Sequence, residues 1–152
     1  MSESGDEFNE ALFGKLGAAN TPKAYVAALR RLLETSVPYL AEVKGNKRRV
    51  YWINGRSLGW LECRGSHDRD ASIDGQVIQL NVAYVALKVE LEADRRNDPA
   101  ESGRVLTISA PHGDRITLDA SPVSVPDSGE RAKIEAFIDQ VLSAIAGHNV
   151  RP

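Results

Sequence analysis

Short segments in which apolar and polar residues alternate follow one another through the middle of the chain, separated by residues typical of turns. Residues 49–53 and 57–63 are rich in aromatic and β-branched side chains and flank Asn54-Gly55. Because this dipeptide tolerates the two positive φ angles of a type I′ turn, it is the strongest hairpin signal in the chain. The pattern therefore predicts a fold built from consecutive antiparallel hairpins.

Five further strands are predicted between residues 71 and 120. Residues 71–73 and 76–80 flank a second candidate turn, Asp74-Gly75, and residues 106–110 and 116–120 flank a turn at 111–114. Between these hairpins, alternation predicts that one row of side chains points to the core, namely Val85, Leu87, Val89 and Leu91. Lys88, Glu90 and Glu92 make the opposite row, which is predicted to face solvent. The total is about seven strands.

A long amphipathic helix is predicted over residues 129–146. Asp127 and Glu130 form a capping pair at its start, and Gly147 is a typical helix end. The apolar residues fall at helical spacing, at Ile134, Phe137, Ile138, Val141, Leu142 and Ile145. The helix is therefore expected to pack its apolar stripe on the strands.

Two short amphipathic helices are predicted in residues 1–40. Ser4 and Glu7 form a capping box for the first helix, and Thr21 with Pro22 starts the second. Their apolar stripes are Phe8, Leu12, Phe13 and Leu16 in the first, and Tyr25, Val26, Leu29, Leu32 and Leu33 in the second. We therefore expect an α+β fold, in which residues 1–40 are a helical extension of a meander and helix at 45–147. The strands are expected to form two packed sheets or a partly open barrel, within one compact domain overall.

Composition limits the class of protein. A chain of 152 residues has the length of one ordinary domain, and no apolar run approaches the roughly 20 residues of a membrane-spanning helix. Residues 1–10 are acidic and lack the features of a secretory signal, and Cys63 is the single cysteine, so no internal disulfide is possible. These features predict a cytoplasmic protein.

The sequence contains no residue set typical of a catalytic or cofactor site. His67, His112 and His148 fall in predicted loops without metal-ligand spacing, and Cys63 has only the loop residue His67 as a candidate base. Glu42 and Lys44 have the order found in metal-dependent nucleases, but no acidic residue on a predicted upstream strand could share the metal. Phosphate-binding loops, dinucleotide fingerprints and nucleophile elbows do not occur. No cofactor and no metal is therefore expected.

The first hairpin carries an uneven charge. Residues 44–70 hold seven basic and three acidic residues, a net charge of +4, whereas the whole chain has −2. Alternation places Arg49, Tyr51, Ile53, Arg56, Leu58 and Trp60 on a predicted solvent face, and Val50, Trp52, Ser57, Gly59, Leu61 and Cys63 on the core face. The candidate ligand-binding residues are Lys47, Arg48, Arg49, Arg56 and Trp60, because arginine beside aromatic rings can hold phosphate or stack on a base. The alternative is that Tyr51 and Trp60 pack under the N-terminal helices while the arginines extend into solvent.

Over residues 45–147 the order of elements resembles the pleckstrin-homology-like superfold, particularly its bacterial versions. The run Ile73-Asp74-Gly75-Gln76-Val77-Ile78, then residues 85–91, then residues 105–119 carry this resemblance in their rhythm, without a diagnostic motif. It implies a seven-stranded meander bent into two packed sheets, with a C-terminal helix at one open end. It also implies a scaffold that is used for binding.

The leading functional hypothesis is a non-catalytic protein-interaction module of a bacterial-type cytoplasmic protein, whose partner is another protein. The alternative is binding of an anionic ligand, either a nucleic acid or the phosphorylated headgroup of an anionic lipid, through the basic hairpin. A small hydrolase or nuclease built around His67 or Glu42 is a third hypothesis. The sequence assigns no oligomeric state.

Overall fold

The computed structural model of the chain describes residues 8–9, 11–13, 21–33, 37–92 and 101–147. The elements, in chain order, are α1 (Lys23–Leu32), β1 (Tyr39–Lys44), β2 (Lys47–Asn54), β3 (Ser57–Arg64), β4 (Ser72–Gln79), a 3-10 helix (Leu80–Val82), β5 (Tyr84–Glu92), β6 (Glu101–Ser109), β7 (Arg115–Asp119) and α2 (Ser128–Ile145). The chain divides into two compact units, and the second consists of residues 55–57 and the part of the chain from Ile78 onward. The predicted α+β class and the seven strands are confirmed.

The first unit is built on a four-stranded antiparallel sheet with the order β1-β2-β3-β4. Strands β1 and β2 pair from Tyr39 opposite Trp52 to Lys44 opposite Lys47. The predicted hairpin between β2 and β3 is present, but its two turn residues are Gly55 and Arg56, and Asn54 is still part of β2. Gly55 has a φ of 62°, the left-handed conformation for which glycine is favoured.

The sequence predicts the number of strands correctly, but two of the strand assignments are wrong. Residues 39–44 form β1, which the sequence did not indicate, and Asp74-Gly75 lies inside the continuous strand β4 and is not a turn. A Cβ atom at position 75 would lie 2.5 Å from the carbonyl oxygen of Trp60. Glycine at position 75 therefore permits a close approach of β4 to β3.

The core of the first unit lies between α1 and one face of the sheet. Its buried members are Leu12, Phe13, Tyr25, Leu29, Leu33, Val50, Trp52 and Cys63, so the predicted core face of the first hairpin is confirmed. The hydroxyl of Tyr25 is 2.6 Å from the carbonyl oxygen of Leu61, to which it donates, and burial raises the pKa of this tyrosine. The second predicted helix is present as α1, whereas most of the first, including Leu16, lies outside the described residues.

The second unit contains a three-stranded antiparallel sheet with the order β5-β6-β7. Strand β6 pairs with β5 from Tyr84 opposite Ser109 to Glu92 opposite Glu101, and with β7 from Val105 opposite Asp119 to Ser109 opposite Arg115. The predicted turn at 111–114 is present, and Gly113 has a φ of 100°.

Helix α2 contacts β6 and β7 of this sheet. The Asp127 carboxylate accepts a hydrogen bond of 2.8 Å from the Gly129 amide, which caps the helix as the sequence predicts. Ile134, Phe137, Ile138 and Val141 are buried, as are Leu106, Ile108, Ile116 and Leu118 in the strands. No helix in the described part of the chain is long and apolar enough to cross a membrane.

Candidate functional site

The residues predicted to bind an anionic ligand do not share one solvent-facing surface. Arg48 is 3% exposed, and its guanidinium lies 6.0 Å from the ring centroid of Phe13, on the α1 side of the sheet. Arg49, the next residue, points to the opposite face because side chains alternate along a strand. The guanidinium of Arg49 lies 4.3 Å from the ring centroid of Trp60. Arg56 is exposed in the hairpin turn and belongs to the second unit.

Arg49 is held by a buried carboxylate. Glu62 is 5% exposed, and its Oε1 atom accepts hydrogen bonds from Arg49 Nε at 3.0 Å and Nη2 at 2.7 Å. Lys47 Nζ lies 3.7 Å from the same oxygen, and Arg64 Nε lies 3.3 Å from Oε2. Burial works against ionisation of Glu62, but Arg49, Lys47 and Arg64 outweigh it and hold its pKa below the usual range. Three basic side chains of the hairpin therefore neutralise the buried carboxylate of Glu62.

The face of the hairpin that was predicted to be exposed is largely buried. Tyr51, Ile53 and Leu58 are buried, and Trp60 is half-buried. Burial, together with the Glu42 carboxylate, raises the pKa of Tyr51 to about 12. These side chains lie on the face opposite to the cluster under α1, so the expectation that Tyr51 and Trp60 pack there does not describe the fold. The hairpin contributes apolar residues to both of its faces.

Two further candidates for chemistry, Cys63 and the 65–71 loop, have contacts that describe a structural role. Cys63 is fully buried, and burial raises the pKa of its thiol, which disfavours the reactive thiolate. The Asp68 carboxylate accepts a hydrogen bond of 3.1 Å from the Ala24 amide and so joins the 65–71 loop to α1. Within the described ranges, no group of three or more His, Cys, Asp or Glu side chains is arranged to hold a metal ion. His148 lies outside those ranges.

Strand β5 exposes a row of apolar side chains that the sequence assigned to the core. Leu87, Val89 and Leu91 are 50%, 56% and 71% exposed. Alternation predicted correctly that they share a face with core residues, since Leu87 pairs with the fully buried Leu106. Their predicted burial is wrong. We call these three residues the β5 row.

The β5 row is exposed because α2 is centred on the other two strands. Arg104 of β6 pairs with Val89, and its side chain reaches α2, where it forms ion pairs with Glu135 and Asp139. The β5 row therefore lies on the same face of the sheet as α2, at the sheet edge. Helix α2 contacts β6 and β7, which leaves this margin of the sheet in solvent.

The opposite face of β5 is charged, and its outer edge carries no neighbouring strand in the part of the chain that the structure describes. Lys88 Nζ lies 2.7 Å from Glu90 Oε1, and the two side chains are 71% and 37% exposed. An edge strand of this kind presents backbone amides and carbonyls that another strand can bind. Strand β5 thus combines an apolar row, a charged row and an open hydrogen-bonding edge.

No family model matches the chain, and no curated protein or solved structure gives a match. The exposed side chains and the edge of β5 are therefore the features from which a function can be inferred. These residues were identified in the sequence as a strand, but their exposure could not be derived from the alternation.

Proposed function

We propose that the chain is a non-catalytic protein-interaction module and that β5 is its interaction surface. The observation that carries this proposal is the exposed β5 row of Leu87, Val89 and Leu91 beside an open strand edge. Fully burying a leucine or valine side chain contributes about 1.5–3 kcal/mol, so covering a half-exposed row is favourable. The open edge adds backbone hydrogen bonds to a partner strand, as in recognition by β-strand addition.

The order of elements gives additional support. Within residues 45–147, strands β2–β4, strands β5–β7 and a C-terminal helix follow one another, an order that resembles the pleckstrin-homology-like domains, although β1 lies before this range. We therefore also propose that the chain is a domain of this bacterial type and that it is located in the cytoplasm. A likeness of fold alone does not specify a function, so the exposed row remains the stronger argument.

Binding of an anionic ligand has less support than protein binding. Among the proposed ligand-binding residues, Arg48 is buried and Arg49 is hydrogen-bonded to Glu62. A phosphate at Arg49 would have to compete with a carboxylate that already holds it. The hydrolase and nuclease hypotheses have no supporting observation. Glu42, the candidate catalytic residue of the nuclease, interacts with the Tyr51 hydroxyl.

The proposal is tested by placing charge on the β5 row. We expect Leu87→Lys with Leu91→Lys to lose proteins that the parent chain retains from a lysate of its native cells, because a lysine on the row opposes apolar burial. Its stability should stay within about 0.5 kcal/mol of the parent, since both side chains are exposed. Quantitative affinity purification and urea unfolding measure the two effects.

The matched control is Ile73→Lys with Val77→Lys, which adds the same charges at exposed apolar positions of β4. This control should retain the proteins that the parent retains. If the β5 variant and the parent retain the same proteins in the same amounts, β5 is not the interaction surface.

A further inference from the structure

We infer that the partner of β5 is β5 of a second copy of this chain, paired antiparallel about Val89. This inference depends on the proposed function, because it uses the same exposed row and edge and names the occupant. In the segment Leu87-Lys88-Val89-Glu90-Leu91, the apolar and charged positions are arranged symmetrically about Val89, and the two charges are opposite.

The apolar residues match in this register. When two such strands are related by a two-fold axis at Val89, Leu87 lies opposite Leu91 of the second copy, and the two Val89 residues face each other. The β5 rows of both copies then form one apolar strip on the face of the sheet that also carries α2. Apolar pairs directly opposite each other are the unit of stabilisation in antiparallel sheets.

The charged residues match in the same register. Lys88 lies opposite Glu90 of the second copy, and Glu90 lies opposite Lys88, so the dimer contains this ion pair twice. The Lys88 side chain, which is 71% exposed, is free to turn from Glu90 of its own strand to that of the second copy. Exposed ion pairs contribute little stability, but opposite charges select the partner and the register.

Other registers lose this match. A shift of two residues in one direction places Lys88 opposite Lys88, and like charges directly opposite each other destabilise a strand pair. A shift in the other direction places Glu90 opposite Glu90 and Lys88 opposite Glu92, but Leu87 then lies opposite position 93, beyond the end of β5, and loses its apolar partner. A shift of one residue turns the two apolar rows to opposite faces of the sheet. The sequence of β5 therefore favours pairing with itself in one register.

The proposed pairing also closes the assembly. A two-fold axis uses the same surface on both copies, so no further copy can add at that edge. Two three-stranded sheets join into one continuous sheet, and the exposed edge of β5 disappears. Removing such an edge lowers the risk of uncontrolled strand pairing.

Two single charge variants test the pairing. We expect Lys88→Glu and Glu90→Lys, each alone, to dimerise about tenfold more weakly than the parent, because each places like charges opposite each other twice. An equimolar mixture of the two variants should associate as well as the parent, since every pair between the two chains is then complementary. The ion pair within each strand stays broken in the mixture, so the recovery reports contacts between chains. Sedimentation equilibrium measures the association. The control is Lys133→Glu, at an exposed position of α2, which should leave the association unchanged.

Cysteine crosslinking tests the register. Residues opposite each other in an antiparallel pair have Cα atoms about 4.5–5.5 Å apart, a spacing that suits a disulfide. Val89→Cys should therefore form a covalent dimer under mild oxidation, whereas Leu87→Cys should do so only when mixed with Leu91→Cys. The native Cys63 is buried and should not compete.

The outcomes separate this inference from the proposed function. A parent chain that stays monomeric at high concentration overturns the inference. If the β5 double-lysine variant then still loses a retained protein, the interaction surface stands and its occupant is a different protein. A dimer that is indifferent to both charge variants and to the double-lysine variant also overturns the inference, because it uses another surface. If neither dimerisation nor retention depends on β5, both proposals fail.

Discussion

We expect Gly103→Ala to destabilise the unit that contains β5, β6, β7 and α2 by about 3 kcal/mol. A Cβ atom at position 103 would overlap the carbonyl oxygen of Ala120 and approach the Cα atom of Ser121 to 3.0 Å. Both neighbours are backbone atoms, so rotation of a side chain cannot relieve the overlap. The adjacent hydrogen bond from the Ala120 amide to the Arg104 carbonyl, 2.9 Å long, would have to distort.

The same substitution at position 129 is the matched control. Gly129 lies in the first turn of α2, where a Cβ atom would meet only the Asp127 carboxylate, at 3.3 Å. Alanine is favoured over glycine in a helix by up to about 1 kcal/mol, so Gly129→Ala should be neutral or stabilising. Urea unfolding compares the three chains. Equal stability of the parent and Gly103→Ala would contradict the close approach of β6 to the segment that follows β7.

Glycine in this chain shows where prediction from the sequence succeeds and where it fails. Gly55 and Gly113 were predicted in turns, and both have positive φ angles in turns. Gly75, in an equally turn-like Asp-Gly pair, lies inside β4 because the backbone of β3 approaches it closely. The dipeptide contains no information about which strand will lie beside it, so its local pattern could not decide between these two uses.

The burial of side chains was likewise predicted correctly in some elements and wrongly in others. The helical spacing of α2 predicted its buried stripe correctly at Ile134, Phe137, Ile138 and Val141. Strand alternation also predicted the face to which Leu87 belongs, but not its exposure. Which part of a face is covered depends on where the helix crosses the sheet, and the alternation of one strand carries no information on that.

The prediction that the basic residues of the hairpin share one binding surface was wrong for a related reason. Counting charges gave an excess of cations, but it gave Glu62 the same weight as any exposed carboxylate. In the structure Glu62 is buried and contacts Lys47, Arg49 and Arg64. Arg48 and Arg49 are neighbours in sequence but point to opposite faces, which the period of two in a strand implies.

We expect Glu62→Gln to destabilise the first unit by about 2–3 kcal/mol. The variant keeps the shape of the side chain but leaves the guanidinium of Arg49, stacked on Trp60, without its charge partner. Removing one member of a buried ion pair costs more than the pair itself contributes, because the remaining charge stays desolvated. Glu130→Gln is the control: its exposed pair with Lys133 should change stability by about 0.5 kcal/mol at most.

The difference in stability between the parent and Glu62→Gln should shrink as the pH falls. The pKa of Glu62 is lowered in the folded chain, so in acid the unfolded chain takes up its proton first, near the usual glutamate value of about 4.3. Between that value and the lower folded pKa, the unfolded state binds more protons, and the stabilisation by ionised Glu62 is lost. At neutral pH the difference should be full and constant, because Glu62 is ionised in both the folded and the unfolded state. Urea midpoints of both chains, measured from neutral pH into this acidic range, should therefore converge, and a difference that stays constant would show that the charge of Glu62 does not stabilise this unit.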